Sequence, residues 1–374
     1  MAMRYGRTLC FLTVAVLLSL TAAAQNALPG DVQADSRNRL PLVPGATHGV
    51  AGIRQHGSGV NVRWQSTLGR ALTELAILTA ARDHDQPYEW SLHEMEAVAV
   101  GLDPAVIDLV RHRRPLTGAG EKEAIVIESG REIFKTHTLS SGTYARALKI
   151  LGKSNLVDIV DLMANYTATA TRLTAVNQQM PPGWKQFLPL PFTPPNDIHP
   201  DSMSRLPLVR AQGTAPAATP SLYSRNLAPE GTGPGHIGRH RGSLKSLEAN
   251  VGRRIIDLAI LLTAREHDAQ YDWTINELAA IKNGLEPAVI DVARRRRPAT
   301  GLGDKERALA DFARELFGTH TVGAQTYARA LKIFGETNLV DLIDVMAQHA
   351  GDEVILAAFD QHLPAGQKPL LPIP

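Results

Sequence analysis

Cysteine is nearly missing from this chain of 374 residues: the only one is Cys10. It falls inside an apolar N-terminal run, Thr8–Ala24, whose pattern marks it for removal. A chain trimmed there has no disulfide, no thiolate metal ligand and no thiol nucleophile. An excess of either charge is missing too. Lys and Arg number 39 against 37 Asp and Glu, a net +2, so the bulk electrostatics call for neither nucleic acid nor an anionic membrane. No segment alternates polar and apolar residues as a half-buried strand does. What remains, 44% hydrophobic and 20% charged residues, is ordinary globular composition at a length suited to two domains and their linkers.

The N-terminus reads as a signal peptide over residues 1–24. Arg4 and Arg7 precede the apolar run, and Ala22 and Ala24 form a small-residue cleavage site that leaves Gln25 as the first mature residue. The run falls short of the ~20 residues of a membrane span, and no basic stop-transfer follows. Cys10 is too early to be a lipoprotein cysteine. The expectation is an exported protein, periplasmic or secreted, with no stable membrane anchor after cleavage.

The chain then says nearly the same thing twice. Arg82–Glu94, RDHDQPYEWSLHE, returns 183 positions later as Arg265–Glu277, REHDAQYDWTINE. TYARALKILGKSNLVD likewise returns as TYARALKIFGETNLVD. The period is domain-sized, which means tandem duplication and not a solenoid. The expected organisation is an extended lead-in over 25–67, a first repeat over 68–191, a linker over 192–250 and a second repeat over 251–374. RLPLV occurs at Arg39–Val43 and again at Arg205–Val209, so the lead-in was copied as well. GHIGRHRG, Gly235–Gly242, reads as a solvated loop within the linker.

Each repeat is helical by its apolar spacing, with about six helices, so the expected fold class is all-α, two helical bundles packed as an internal dimer. SLHE (Ser91–Glu94) and TINE (Thr274–Glu277) have the form of capping boxes and predict helix starts. Pro104 and Pro287 suit first turns. The runs RHRRP (Arg111–Pro115) and RRRRP (Arg294–Pro298) stand at predicted helix C-termini, where cations complement the helix dipole.

One constellation has the residue types for acid/base work. Glu74 is followed by Gln86, Glu89 and His93 in the spacing Glu-x11-Gln-x2-Glu-x3-His. Two carboxylates near an imidazole push each other's pKa values apart, which assigns an acid and a base. With Ser91 as cap, His93 falls in a first helical turn, where the dipole disfavours imidazolium. Tyr88 and Trp90 supply apolar walls and a hydroxyl. The second repeat carries Asp257, Ala269, Asp272 and Asn276 at the equivalent positions, and an amide cannot replace histidine in proton transfer. His84/His267 and His137/His320 persist in both copies and read as histidines satisfied at helix ends.

At these residues the chain resembles the carboxymuconolactone decarboxylase / alkylhydroperoxidase D superfamily, over both repeats. The resemblance implies an all-α fold. It lays the family glutamate on Glu74 and the family histidine on His93. The two redox cysteines of the peroxidase branch fall on Gln86 and Glu89, so the likeness is to the cysteine-free, decarboxylase-like branch. It implies a cofactor-independent enzyme, with no metal, acting on a small carboxylic acid or lactone. Glu74, His93 and Glu89 would be catalytic, and Arg82, Gln86, Tyr88 and Trp90 would hold the substrate. A non-catalytic scaffold on the same fold is the alternative. Hydroperoxide reduction is disfavoured because it requires a thiolate. The two-repeat chain is also a candidate homo-oligomer.

Overall fold

The computed structural model describes residues 28–45, 47–191, 196–210 and 231–373. The leader and Cys10 lie outside the described residues. The protein is all-α: sixteen helices and no strand are present among the described residues. None of these helices is long and apolar enough to cross a membrane.

The lead-in holds two short helices, α1 (Val50–Arg54) and α2 (Val62–Gln65). The first repeat follows as α3 (Arg70–Asp83), α4 (Pro87–Ala99), α5 (Pro104–Arg111), α6 (Glu121–Thr136), α7 (Ser141–Leu151) and α8 (Lys153–Ala175). The segment read as a linker carries α9 (Gly233–Gly238) and α10 (Leu244–Val251). The second repeat is α11 (Arg253–Glu266), α12 (Gln270–Lys282), α13 (Pro287–Arg294), α14 (Asp304–Gly318), α15 (Ala324–Phe334) and α16 (Glu336–Ala358).

At the centre of each repeat lies its first helix. Eleven of the fourteen residues of α3, and eleven of fourteen in α11, are buried, so each is enclosed on all sides. Around α3 pack α4, α6 and α8; around α11 pack α12, α14 and α16. The copies also share their corners. Asp85 and Asp268, Arg113 and Arg296, and His137 and His320 all take left-handed backbone between φ 48 and 53.

The long helices α8 and α16 make the most extensive helix–helix contact in the molecule. At 23 residues each spans roughly 35 Å. They approach closely at Gly351, where an added Cβ would lie 2.7 Å from the carbonyl oxygen of Ala164. The obstruction is backbone, so it cannot swing aside.

The two lead-in segments lock this contact by crossing over. The Arg39 amide donates to the carbonyl of Phe359, past the end of α16, at 2.9 Å. The Arg205 amide donates to the carbonyl of Val176, past the end of α8, also at 2.9 Å. Val176 and Phe359 are equivalent positions, so each lead-in docks on the other repeat's long helix. Each arginine meanwhile stacks on a tyrosine of its own repeat, Arg39 on Tyr144 at 4.8 Å and Arg205 on Tyr327 at 4.9 Å. Asp31 and Asp197 hold the guanidinium groups at 2.9 and 2.7 Å.

Three expectations change. Helix α4 begins at Pro87, one turn before Ser91, because the Gln86 side chain caps it by accepting from the Tyr88 amide at 2.9 Å. Ser91 and Thr274 are buried within helices and cap nothing. The 192–250 span is not merely extended: its described parts contain α9, α10 and the docked lead-in. His236 and His240 of GHIGRHRG are buried and not solvated. α9 is short and glycine-rich and is held by tertiary contacts.

Gly351→Ala should therefore lower the unfolding free energy by roughly 1–3 kcal/mol, the usual cost of overpacking. Gly142→Ala, with nothing within 4 Å of its added Cβ, is the control and should be neutral or slightly stabilising. Urea unfolding of both variants checks this; equal midpoints would refute the close approach.

Candidate active site

The site is built on α3 and α4 and closed by α2. Residues 89, 93 and 96 lie at i, i+4 and i+7 of α4 and share one helical face. Opposite them, Glu74 rises from α3. His93 Nδ1 and Glu74 Oε2 are 2.7 Å apart. Glu74 Oε1 accepts from Arg70 Nη2 at 2.7 Å and lies 3.4 Å from Arg63 Nε. Arg63 Nη2 donates to Glu96 Oε2 at 2.5 Å, and Arg70 Nη2 reaches the same oxygen at 3.3 Å. Tyr166 of α8 meets the His93 ring edge-on at 4.8 Å. Outside the cluster, the Trp64 ring carries both guanidinium groups, Arg63 at 4.7 Å and Arg70 at 4.0 Å.

The electrostatics follow from burial. Burial works against the Glu74 carboxylate, but His93, Arg63 and Arg70 outweigh it and hold its pKa well below the ordinary value. An ionised Glu74 only accepts, so His93 Nδ1 carries the hydrogen in their bond. Glu89 is the opposite case. Burial pushes its carboxyl well above the usual range, with Arg63 pulling only partly back. Neither of its oxygens has a hydrogen-bond partner. Burial also raises the Tyr166 hydroxyl, so it stays protonated. The two carboxyls, one from α3 and one from α4, are thus pushed in opposite directions.

Glu74, His93 and Glu89 of the sequence reading come to this one region. Arg82, Gln86, Tyr88 and Trp90 are engaged elsewhere. Arg82 donates to the Arg111 carbonyl at 2.7 Å and pairs with Asp85, tying the end of α3 to the end of α5. Gln86 caps α4 and donates to Thr174 Oγ1 at 3.2 Å. Tyr88 is buried, stacks on Trp184 and meets Thr232 through its hydroxyl. Trp90 Nε1 donates to Glu94 at 2.6 Å, and Arg111 binds the same carboxylate. The second repeat makes the same relay with Trp273, Glu277 and Arg294, which marks it as structural. The remaining arginines of the two basic runs are likewise paired, Arg114 with Asp108 and Arg297 with Asp291.

The second repeat rearranges the site. Asp257 is held by Arg253 and by Asn283, each at 2.8 Å. Asn276, at the His93 position, turns to Asp272. The imidazole there comes from His349, at the Tyr166 position, 2.9 Å from Asp272.

Sequence reading missed Arg63, Arg70, Glu96 and Tyr166. Two carried a signal: Arg70 is i−4 to Glu74, and Glu96 is i+3 to His93 on the same face. Arg63 and Tyr166 arrive from distant helices and carried none.

Comparison with known proteins finds no matching family model, no matching curated protein and no matching solved structure.

Glu89→Gln tests the electrostatics. A carboxyl whose folded pKa is raised holds a proton that the unfolded chain loses, so its contribution to stability declines as pH rises above about 4.5. Each pH unit between the two pKa values is worth about 1.4 kcal/mol. The variant should gain stability relative to the parent as pH rises above about 4.5, measured by urea unfolding. A difference that does not change with pH would mean Glu89 is ionised in the fold.

Proposed function

We propose that the first repeat carries a cofactor-independent acid/base centre of the carboxymuconolactone decarboxylase type, acting on a small carboxylic acid or lactone. The two repeats form an internal dimer in this reading, and the chain is exported through its N-terminal segment. One observation carries the proposal: His93 and Glu74 in contact at 2.7 Å, with Glu89 buried and unpartnered on the same helical face as His93. Glu74 orients His93 and stabilises its charged form. His93 Nε2 takes or returns the substrate proton. Glu89 donates a proton or hydrogen bond to the departing or developing oxyanion. A substrate carboxylate would take Arg63 and Arg70 in place of Glu96 and Glu74, in the bidentate geometry guanidinium groups favour.

The second reading, a non-catalytic protein on the same scaffold, has its own observation. Glu74 and Glu96 are wholly buried, and Arg63 and Trp64 close over them. Catalysis therefore requires α2, a four-residue helix with no side-chain cap, to move aside. Thiol peroxidase chemistry is not proposed, since Gln86 and Glu89 stand at the cysteine positions.

The test is turnover of a panel of small lactones and aromatic carboxylic acids by the parent, His93→Asn and Glu74→Gln. Loss of the proton-transfer group should lower kcat by roughly 10²–10⁴-fold. His93→Asn should also cost about 1–3 kcal/mol of stability, because it leaves Oε2 of the buried Glu74 without its partner. Undiminished turnover in His93→Asn, or a parent that neither binds nor converts any member, would favour the scaffold.

A further inference from the structure

Histidines occupy two kinds of place in this molecule. His84 meets His320 and His137 meets His267 across the boundary between the repeats, with ring centroids 5.4 and 5.9 Å apart, so both copies share them. His349 has no such counterpart, because the residue at its position in the first repeat is Tyr166. It stands on α16 with Nδ1 2.9 Å from Asp272 Oδ2. It also lines a cavity of about 340 Å³ bounded by α10, α11 and α16. Leu244, Leu247, Ile256, Ile260 and Val345 form the apolar wall, and the Arg253 guanidinium stands close enough to act on the His349 charge.

The second repeat leaves open here what the first repeat closes. The loop ahead of α2 is pinned by the Ser58 amide, which donates to Asp158 at 2.9 Å. The loop ahead of α10 is pinned in the same way by the Gly242 amide on the equivalent Asp341, also at 2.9 Å. Past that point the first repeat sends Arg63 and Trp64 over Glu74, where Arg70 joins them. The second repeat sends Leu244 and Leu247, which carry no charge. Arg253, at the Arg70 position, gives its Nε to Asp257 at 2.8 Å. Its terminal nitrogens donate to nothing among the described residues, and its side chain is 40% exposed. Of the two wall aspartates, Asp341 is engaged by Gly242 and Asp344 by Arg172 and Arg241.

We propose that the cavity of the second repeat binds a small monocarboxylic acid with an apolar body, its carboxylate held by Arg253 and His349 and its body by the aliphatic wall. The residue types fit that class. A guanidinium with unused donors matches a carboxylate in geometry and charge. With Nδ1 committed to Asp272, His349 has Nε2 left for a ligand. Burial works against a charged His349 ring, but the hydrogen bond and charge of Asp272 outweigh it, with Asp352 adding to them and Arg253 opposing. The ring's pKa is raised, which favours the form with two donors. An apolar chamber of this volume with a few convergent polar groups is the usual form of a small-molecule site. The site does not rest on catalysis in the first repeat: a chain that turns over nothing there can still bind an acid here.

The experiment is calorimetric titration of the tag-free mature chain with benzoate, with benzamide as the uncharged control. The parent should bind benzoate, and benzamide should bind roughly tenfold more weakly or worse. Arg253→Gln and His349→Gln should each weaken benzoate binding by roughly tenfold or more. Leu244 is 56% exposed where it lines the cavity, so Leu244→Glu adds a like charge beside the carboxylate without disturbing the core. It should weaken benzoate by about fivefold and leave benzamide unchanged. A separate event at the first site, where the parent shows two, persists in all three variants. Urea midpoints confirm that each variant folds. Arg253→Gln strips a partner from the buried Asp257, so if it unfolds, His349→Gln and Leu244→Glu decide the matter. No benzoate binding by the parent overturns the site. So does equal affinity for benzamide, or a benzoate titration that none of the three substitutions changes.

Discussion

The contact between α8 and α16 is the constraint from which the rest follows. It brings Gly351 against the backbone of Ala164, and its two ends receive the lead-in segments of the opposite repeats. Each docked arginine joins three things at once: an aspartate of its own segment, a tyrosine of its own repeat and a carbonyl at the end of the other repeat's long helix. Pulling the repeats apart would break both amide–carbonyl bonds and expose the apolar faces of two 23-residue helices. The pairing of the repeats is therefore tied to the folding of each.

The same constraint separates two kinds of histidine. His93 belongs to one repeat and is positioned by that repeat's own helices and lead-in, so its site was free to change in the other copy. It did: Asp257 finds Asn283 in place of an imidazole, and His349 supplies a ring to Asp272 from a different helix. Each solution satisfies its buried carboxylate, as burial demands. The four histidines between the repeats are different. Each is half of a pair whose other half lies in the other copy, so a change in either repeat would alter a surface they share.

The charged cluster under Trp64 shows how a buried carboxylate can be ionised beside one that is not. Glu74 has two guanidinium groups and an imidazole within contact range, enough to outweigh burial. Glu89 stands on α4, one turn before His93, but has no hydrogen-bond partner, and burial wins. The difference comes first from His93, which bonds Glu74, and then from Arg63 and Arg70.

The all-α class, the duplication, and the order and approximate bounds of the six helices in each repeat were legible in the sequence. They follow from local rules: apolar period, proline and glycine at boundaries, and a repeat that can be read by eye. Glu74, Glu89 and His93 could be named as a group because two of them lie one turn apart on a single helix. The start of α4 was misplaced because Gln86 caps as well as Ser91 would have, and a capping pattern cannot say which residue is used. Arg63, Tyr166 and the helices within 192–250 depended on tertiary structure, as did the meeting of His84 with His320 and of His137 with His267. Those contacts join residues up to 236 positions apart. No local pattern encodes them; the histidine pairs further require the two repeats to be packed together along α8 and α16.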